Sequence, residues 1–117
     1  MPRKHGLDVV NAIRAMENNQ VDFLFCLGGN FISATPDTIR TSNAVSNLSM
    51  SVHVSTKLNR SHLVQSSEMI ILPCLGRTEI DVQASGPQFV TVENCMGIVH
   101  TSQGQLSPAS NLSLIHI

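Results

Sequence analysis

The apolar positions of this chain fall into blocks with different periods. Residues 7–19, "LDVVNAIRAMENN", set Val9, Val10, Ile13 and Met16 on one face at helical spacing, and Asn18-Asn19 supplies a C-terminal stop. Val21–Leu27 is dense and almost wholly apolar, with Asp22 alone polar near its start. Such a run predicts a strand covered on both faces, the pattern of parallel sheets. It stops at Gly28-Gly29-Asn30. Thr35 then caps a second predicted helix, with Pro36 at its first position, where no donor is lost, and Asp37 favourable against the helix dipole. Thr41, Ala44, Val45 and Leu48 form its apolar stripe.

Further along, "MSVHVS" (Met50–Ser55) alternates and predicts a half-buried strand. "TKLNRSHLVQSS" is a polar loop with one helical turn, and Met69–Pro73 is a second continuous apolar strand. After "CLGRTEIDVQASGP", the segment "QFVTVEN" alternates again and with "CMG" and "IVHTS" predicts a hairpin. The order is α-β-α-β-(α)-β followed by a β tail. Strands separated by helices make right-handed crossovers. The expected fold is therefore α/β, a doubly wound, mostly parallel sheet with helices on both faces and a C-terminal β segment.

Composition sharpens this picture. The 117 residues hold one domain at most and can bury a core. Charged residues make up only 13% against 42% apolar, so the surfaces are expected to be covered, as in a piece of a larger protein. A net charge of −1 gives no pull toward nucleic acid or an anionic membrane, and neither is an expected partner. No apolar run approaches the roughly 18 residues that span a bilayer, and the polar, basic start lacks a leader's apolar core. Cys26, Cys74 and Cys95 are odd in number and read as buried, reduced thiols of a cytoplasmic protein. Met1 reads equally as a start or as an internal methionine. The last six residues, "LSLIHI" (Leu112–Ile117), read as a non-native, adapter-derived tail, leaving residues 1–111 as an open-ended fragment.

In open α/β sheets, ligands bind outside the carboxyl ends of the strands. Three loops follow the predicted strands: Gly28-Gly29-Asn30, Thr56–His62, and Gly76-Arg77-Thr78. With parallel strands these loops share one edge. They carry small residues for close backbone approach, hydroxyls and amides, and the cations Lys57, Arg60 and Arg77, which suits a phosphorylated, nucleotide-like ligand. Gly-Gly-Asn is neither a dinucleotide fingerprint nor a P-loop. His53, between valines, reads as a satisfied sheet histidine, and His100 has no partner in view. No His, Cys and carboxylate set has metal-site spacing, and no Ser/His/Asp arrangement is legible.

The blocks "CLGGNFISATPDT", "VHVSTKLNRSHLV", "ILPCLGRTEID" and "ASGPQFVTVENCMGIVH" resemble, in order, the molybdopterin-dependent oxidoreductases related to formate dehydrogenase alpha subunits, in particular the YdeP-type branch. The resemblance runs from Gly6 to about Ser110. Where wider members carry Gly-x-Asn-Pro, this chain has Gly28-Gly29-Asn30-Phe31 and lacks the proline. The resemblance implies a bis(molybdopterin guanine dinucleotide) cofactor with molybdenum or tungsten. It implies a 4Fe-4S cluster in the missing part of the parent chain, and residues 1–111 as part of the α/β cofactor-binding domain. Carried over, Gly28, Gly29 and Asn30 are the first cofactor loop. Ser55, Thr56 and Lys57 end the second strand facing guanosine or pterin, and Asn59, Ser61 and His62 form the following loop. Arg77 rests on the shared-edge argument alone.

No residue here is assigned as catalytic or as metal ligand. The implied partners are the remaining domains of the parent, a small-molecule substrate and an electron-transfer partner. The isolated fragment is expected to be inactive. The alternative is a non-catalytic nucleotide-binding α/β module, and a third reading is a structural α/β fragment with no ligand.

Overall fold

The structure is a computed structural model that describes residues 5–108. The tail assigned to residues 112–117 lies outside the described residues. The chain divides into two compact units, one up to Leu72 and one from Pro73 onward.

The first unit is α/β. Helix α1 spans Val9–Glu17. It starts where Asp8 Oδ1 accepts from Asn11 N at 2.8 Å, and that N–H holds the Asp8 carboxyl below its usual range. It ends at Asn18, and Asn19 then takes a left-handed φ of 54°. Strand β1 is Phe23–Leu27, helix α2 is Phe31–Ala34, helix α3 is Thr38–Ser46 and strand β2 is Met50–Ser55. A 3₁₀ turn, Arg60–Leu63, leads to strand β3, Glu68–Pro73. The three strands form one sheet in the order β1-β2-β3. β1 and β2 run parallel, with Phe23 opposite Met50 and Leu27 opposite Val54. β3 starts beside β2, where Ser67 and Glu68 donate to Leu48 O and Ser49 O.

The core gathers on the Leu24 side of the sheet. Ile13 and Met16 of α1, Ile32 of α2, Ala44 and Val45 of α3, and Leu48 form one cluster, with Val21, Leu24, Phe31 and Val64 against it. Removing each large apolar side chain from water is worth about 2 kcal/mol. The predicted α3 stripe is borne out: Thr41, Ala44, Val45 and Leu48 are all fully buried. Arg40 of α3 reaches Glu17 of α1 with two parallel bonds of 2.5 and 2.6 Å, which hold the Glu17 carboxyl below its usual range.

Four local expectations change. Val9 and Val10 are more than half exposed, and α1 instead buries Ile13, Ala15 and Met16. The α3 cap is Asp37, whose carboxylate accepts from Arg40 N at 2.9 Å. Thr35 is turned inward, its hydroxyl on Ile32 O and Thr41 Oγ1. A buried hydroxyl needs partners more than an exposed helix start does. β1 is covered on one face only, since Phe23, Phe25 and Leu27 are 52–66% exposed. Continuous apolarity reports what avoids water, not what within this chain covers it. Last, β2 is buried nearly throughout rather than half-buried. Its serines are tolerated because Ser51 pairs with Ser66 at 2.8 Å and Ser55 with His62 at 3.1 Å.

The second unit is antiparallel. Val82–Gln83 (β4) pairs with Gly86–Pro87 (β5), a small hairpin that the sequence pattern does not announce. Val90–Glu93 (β6) pairs with Val99–Ser102 (β7), the predicted hairpin. Its turn is closed by Asn94 Oδ1, which accepts from Met96 N and Ile98 N, with Gly97 at φ 75°. His100 is not isolated, because its Nε2 lies 3.1 Å from Asn94 Nδ2.

Candidate functional site

A cleft of about 350 Å³ opens at the carboxyl ends of β1 and β2, lined by Gly28, Gly29, Asn30, Ser55, Thr56, Lys57 and Asn59. The topology dictates this placement. Parallel neighbours end on the same side, so the loop after β1 meets the loop after β2. Gly28 and Gly29 both hold left-handed φ, 67° and 74°, which other residues adopt at a cost. A Cβ at either would meet no protein atom within 4 Å. The glycines therefore serve the turn and leave the space above it open.

Gly28 does not offer its N–H to a ligand, because it continues the sheet ladder to Val54 O at 2.7 Å. Only the amides of Gly29 and Asn30 remain without an intramolecular acceptor among the described residues.

Side chains from the 3₁₀ turn lock the two loops together. Asn59 Nδ2 donates to Gly29 O at 2.8 Å, and its Oδ1 accepts from Ser61 N. Ser61 Oγ accepts from Ile32 N at 3.1 Å and donates to Asn30 Oδ1 at 2.9 Å. Asn59 N donates to His62 Nδ1 at 2.9 Å, and His62 Nε2 lies 3.1 Å from Ser55 Oγ. The Asn59–Gly29, Ser61–Ile32 and Ser61–Asn30 contacts join residues about thirty positions apart, which no local pattern announces.

The residues carried over for the first two cofactor loops come together here. Gly28, Gly29, Asn30, Ser55, Thr56, Lys57 and Asn59 line the cleft. Ser61 and His62 stand behind it, 3% and 7% exposed. Arg77 belongs to the second unit, where it lines a cleft of about 280 Å³ with Gly76, Glu79 and Gln88. Glu79 there accepts from Gly76 N.

His53 was missed as part of this neighbourhood. Its ring lies 5.1 Å from that of His62, and its buried Nε2 has no hydrogen-bond partner among the described residues, contrary to a satisfied sheet histidine. Burial, and then the neighbouring His62, push its pKa below the ordinary histidine value. The cysteines are free, and Cys95 is exposed rather than buried. Burial raises the Cys26 and Cys74 thiols, with Glu79 adding to the second, so both stay protonated and unreactive at neutral pH. Among the described residues no group of His, Cys, Asp and Glu is placed to hold a metal ion, and no helix is long and apolar enough to cross a membrane.

Comparison with known proteins adds a further finding. The chain is 51% identical over 110 residues to an uncharacterized oxidoreductase of Mycobacterium tuberculosis, a match covering 94% of this chain and 14% of that protein. These relatives are oxidoreductases by name. The same figures hold for an uncharacterized oxidoreductase of Mycobacterium bovis. Protein YdeP of Escherichia coli is 44% identical over 108 residues, covering 92% of this chain and 14% of YdeP. The chain thus spans 14% of the length of the curated relatives it matches. No protein-family profile matches the sequence, and no solved structure matches it.

Proposed function

We propose that this chain is a segment of a larger molybdopterin-dependent, formate-dehydrogenase-like oxidoreductase, and that its cleft grips a phosphate–nucleoside part of a bis(molybdopterin guanine dinucleotide) cofactor. The observation that carries the reading is the meeting of two loops at the parallel strand ends, with open glycine backbone, two free amides, hydroxyls and Lys57, and no carboxylate in the lining. A donor-rich, cation-bearing cleft favours a phosphoanion. At about 350 Å³ it is at the small end of ligand pockets and takes part of a dinucleotide, not the whole.

In this reading Gly29, Asn30, Ser55, Thr56, Lys57 and Asn59 hold and orient the nucleotide arm. The bound molybdenum–pterin group supplies the redox chemistry, with molybdenum or tungsten as its metal. Substrate, 4Fe-4S cluster and electron-transfer partner belong to the rest of the parent protein, and the 117-residue chain alone does not turn over. The exposed β1 face and the apolar surface of the second unit fit a segment covered by other domains.

The cleft's size also suits a lone mononucleotide, which favours a non-catalytic nucleotide-binding module as the second reading. The full-length open reading frame, expressed in a host that supplies the cofactor, decides between them. Molybdenum or tungsten together with pterin, and guanine nucleotide released on hydrolysis, supports the cofactor reading. Nucleotide without metal or pterin supports the module, and neither leaves a structural fragment.

A further inference from the structure

Ser61 and His62 are buried behind the cleft, and their hydrogen bonds run in a fixed direction. Ile32 N–H enters a lone pair of Ser61 Oγ, so the Ser61 hydroxyl donates onward to Asn30 Oδ1. With its oxygen held by Ser61, Asn30, which lines the cleft, keeps its Nδ2 amine as a donor for a ligand. In the second chain His62 Nδ1 faces both Asn59 N at 2.9 Å and Asn59 O at 3.2 Å; the shorter contact, with the N–H aimed at the ring nitrogen, favours a bare lone pair there. The proton of a neutral ring then sits on Nε2 and donates to Ser55 Oγ, 3.1 Å away. Ser55, having accepted, has its own hydroxyl proton left for the cleft.

We propose that Ser61 and His62 are positioning residues that never touch the ligand but orient Asn30 and Ser55 so that each keeps a donor for the cleft, selecting an acceptor-rich phosphoanion over uncharged groups of similar size. This deepens the proposed grip on a nucleotide phosphate and rests on it. Around His62 the titratable and charged groups are His53 of β2, Arg60 on its own turn, and Lys57 in the preceding loop; α2, which packs on the turn, carries none. Among the described residues no carboxylate lines the cleft to compete with the phosphoanion for these donors.

Two measurements on the 117-residue chain test this. The first is a long-range proton–nitrogen NMR spectrum of the histidine rings without ligand. The proposal expects His62 with the proton on Nε2 and a bare Nδ1; the opposite tautomer overturns it. The second compares binding of GDP and of guanosine to wild type, Ser61→Ala and His62→Phe by calorimetry. Loss of one oriented hydrogen bond to a charged group is expected to lower the preference for GDP over guanosine about tenfold in each variant. A merely structural role would weaken both ligands alike, and an unchanged preference in folded Ser61→Ala overturns the proposal even if His62→Phe fails to fold. If GDP does not bind wild type, the nucleotide reading fails, and the tautomer alone then upholds or refutes the wiring.

Discussion

The two units of this chain solve the burial problem differently. Every described residue that is buried, apolar or polar, lies at or before Ser66 in the first unit. The described part of the second unit buries none and exposes Val82, Phe89, Val90, Met96, Ile98, Val99 and Leu106. One unit has a helix-covered sheet with a contiguous core; the other has two short hairpins, which are marginal in water without a packed face. The difference teaches that the polar cleft depends on the core beneath it. Ile32, a core residue, offers the N–H that starts the Ser61 chain.

The sharpest way to break this comparison is to remove one large side chain from each unit. Leu48→Ala, at a fully buried position, is expected to cost about 3 kcal/mol in urea unfolding, through lost transfer energy and the cavity left behind. Phe89→Ala, at a position 62% exposed, should stay within about 0.5 kcal/mol. Equal costs would mean the second unit has a core of its own.

How much of this was legible in the sequence follows the same division. The α3 stripe was readable because period 3.6 is a local property, and Thr41, Ala44, Val45 and Leu48 all point inward. β1, β2 and β3 and the parallel order were readable from their apolar runs and spacing. The cap at Asp37 was not, because Thr35 and Asp37 both satisfy the capping rule and only tertiary contact decides. The cleft was half readable. Its lining follows from strand ends, but the Asn59–Gly29 and Ser61–Asn30 bonds bridge distant loops. Open β1 faces and the β4–β5 hairpin were illegible, since periodicity does not say what covers a face.

The next test asks whether the cleft loop needs its glycines. Gly29→Ala forces a side chain into φ 74° and is expected to cost about 1–2 kcal/mol, although its Cβ would meet no neighbour. A neutral result would show that the loop relaxes out of the left-handed region. Asp37→Ala should cost about 1 kcal/mol by removing the α3 cap; a change within error would return the capping role to Thr35.

The last contrast has a sign rather than a large magnitude. His53 is held below its ordinary value of 6.5 by burial, with His62 adding to it. The unfolded chain takes up this proton at about pH 6.5 and the folded chain only at lower pH. Its contribution to stability is therefore complete above that pH and is lost as pH falls through the folded value. Thermal melting at pH 7.5 and 5.5 should show lower stability at the acid end, and His53→Val should flatten that slope. An unchanged slope would place the acid sensitivity elsewhere.

The central claim is that the strand-end cleft of the first unit grips a phosphorylated nucleoside. Titrating GDP into the nitrogen-15-labelled 117-residue chain and following the backbone amides tests it most directly. The account predicts saturable shifts concentrated at Gly28–Asn30 and Ser55–Asn59, with the β6–β7 hairpin unmoved. No shifts at millimolar GDP, or shifts centred on the second unit, would contradict it.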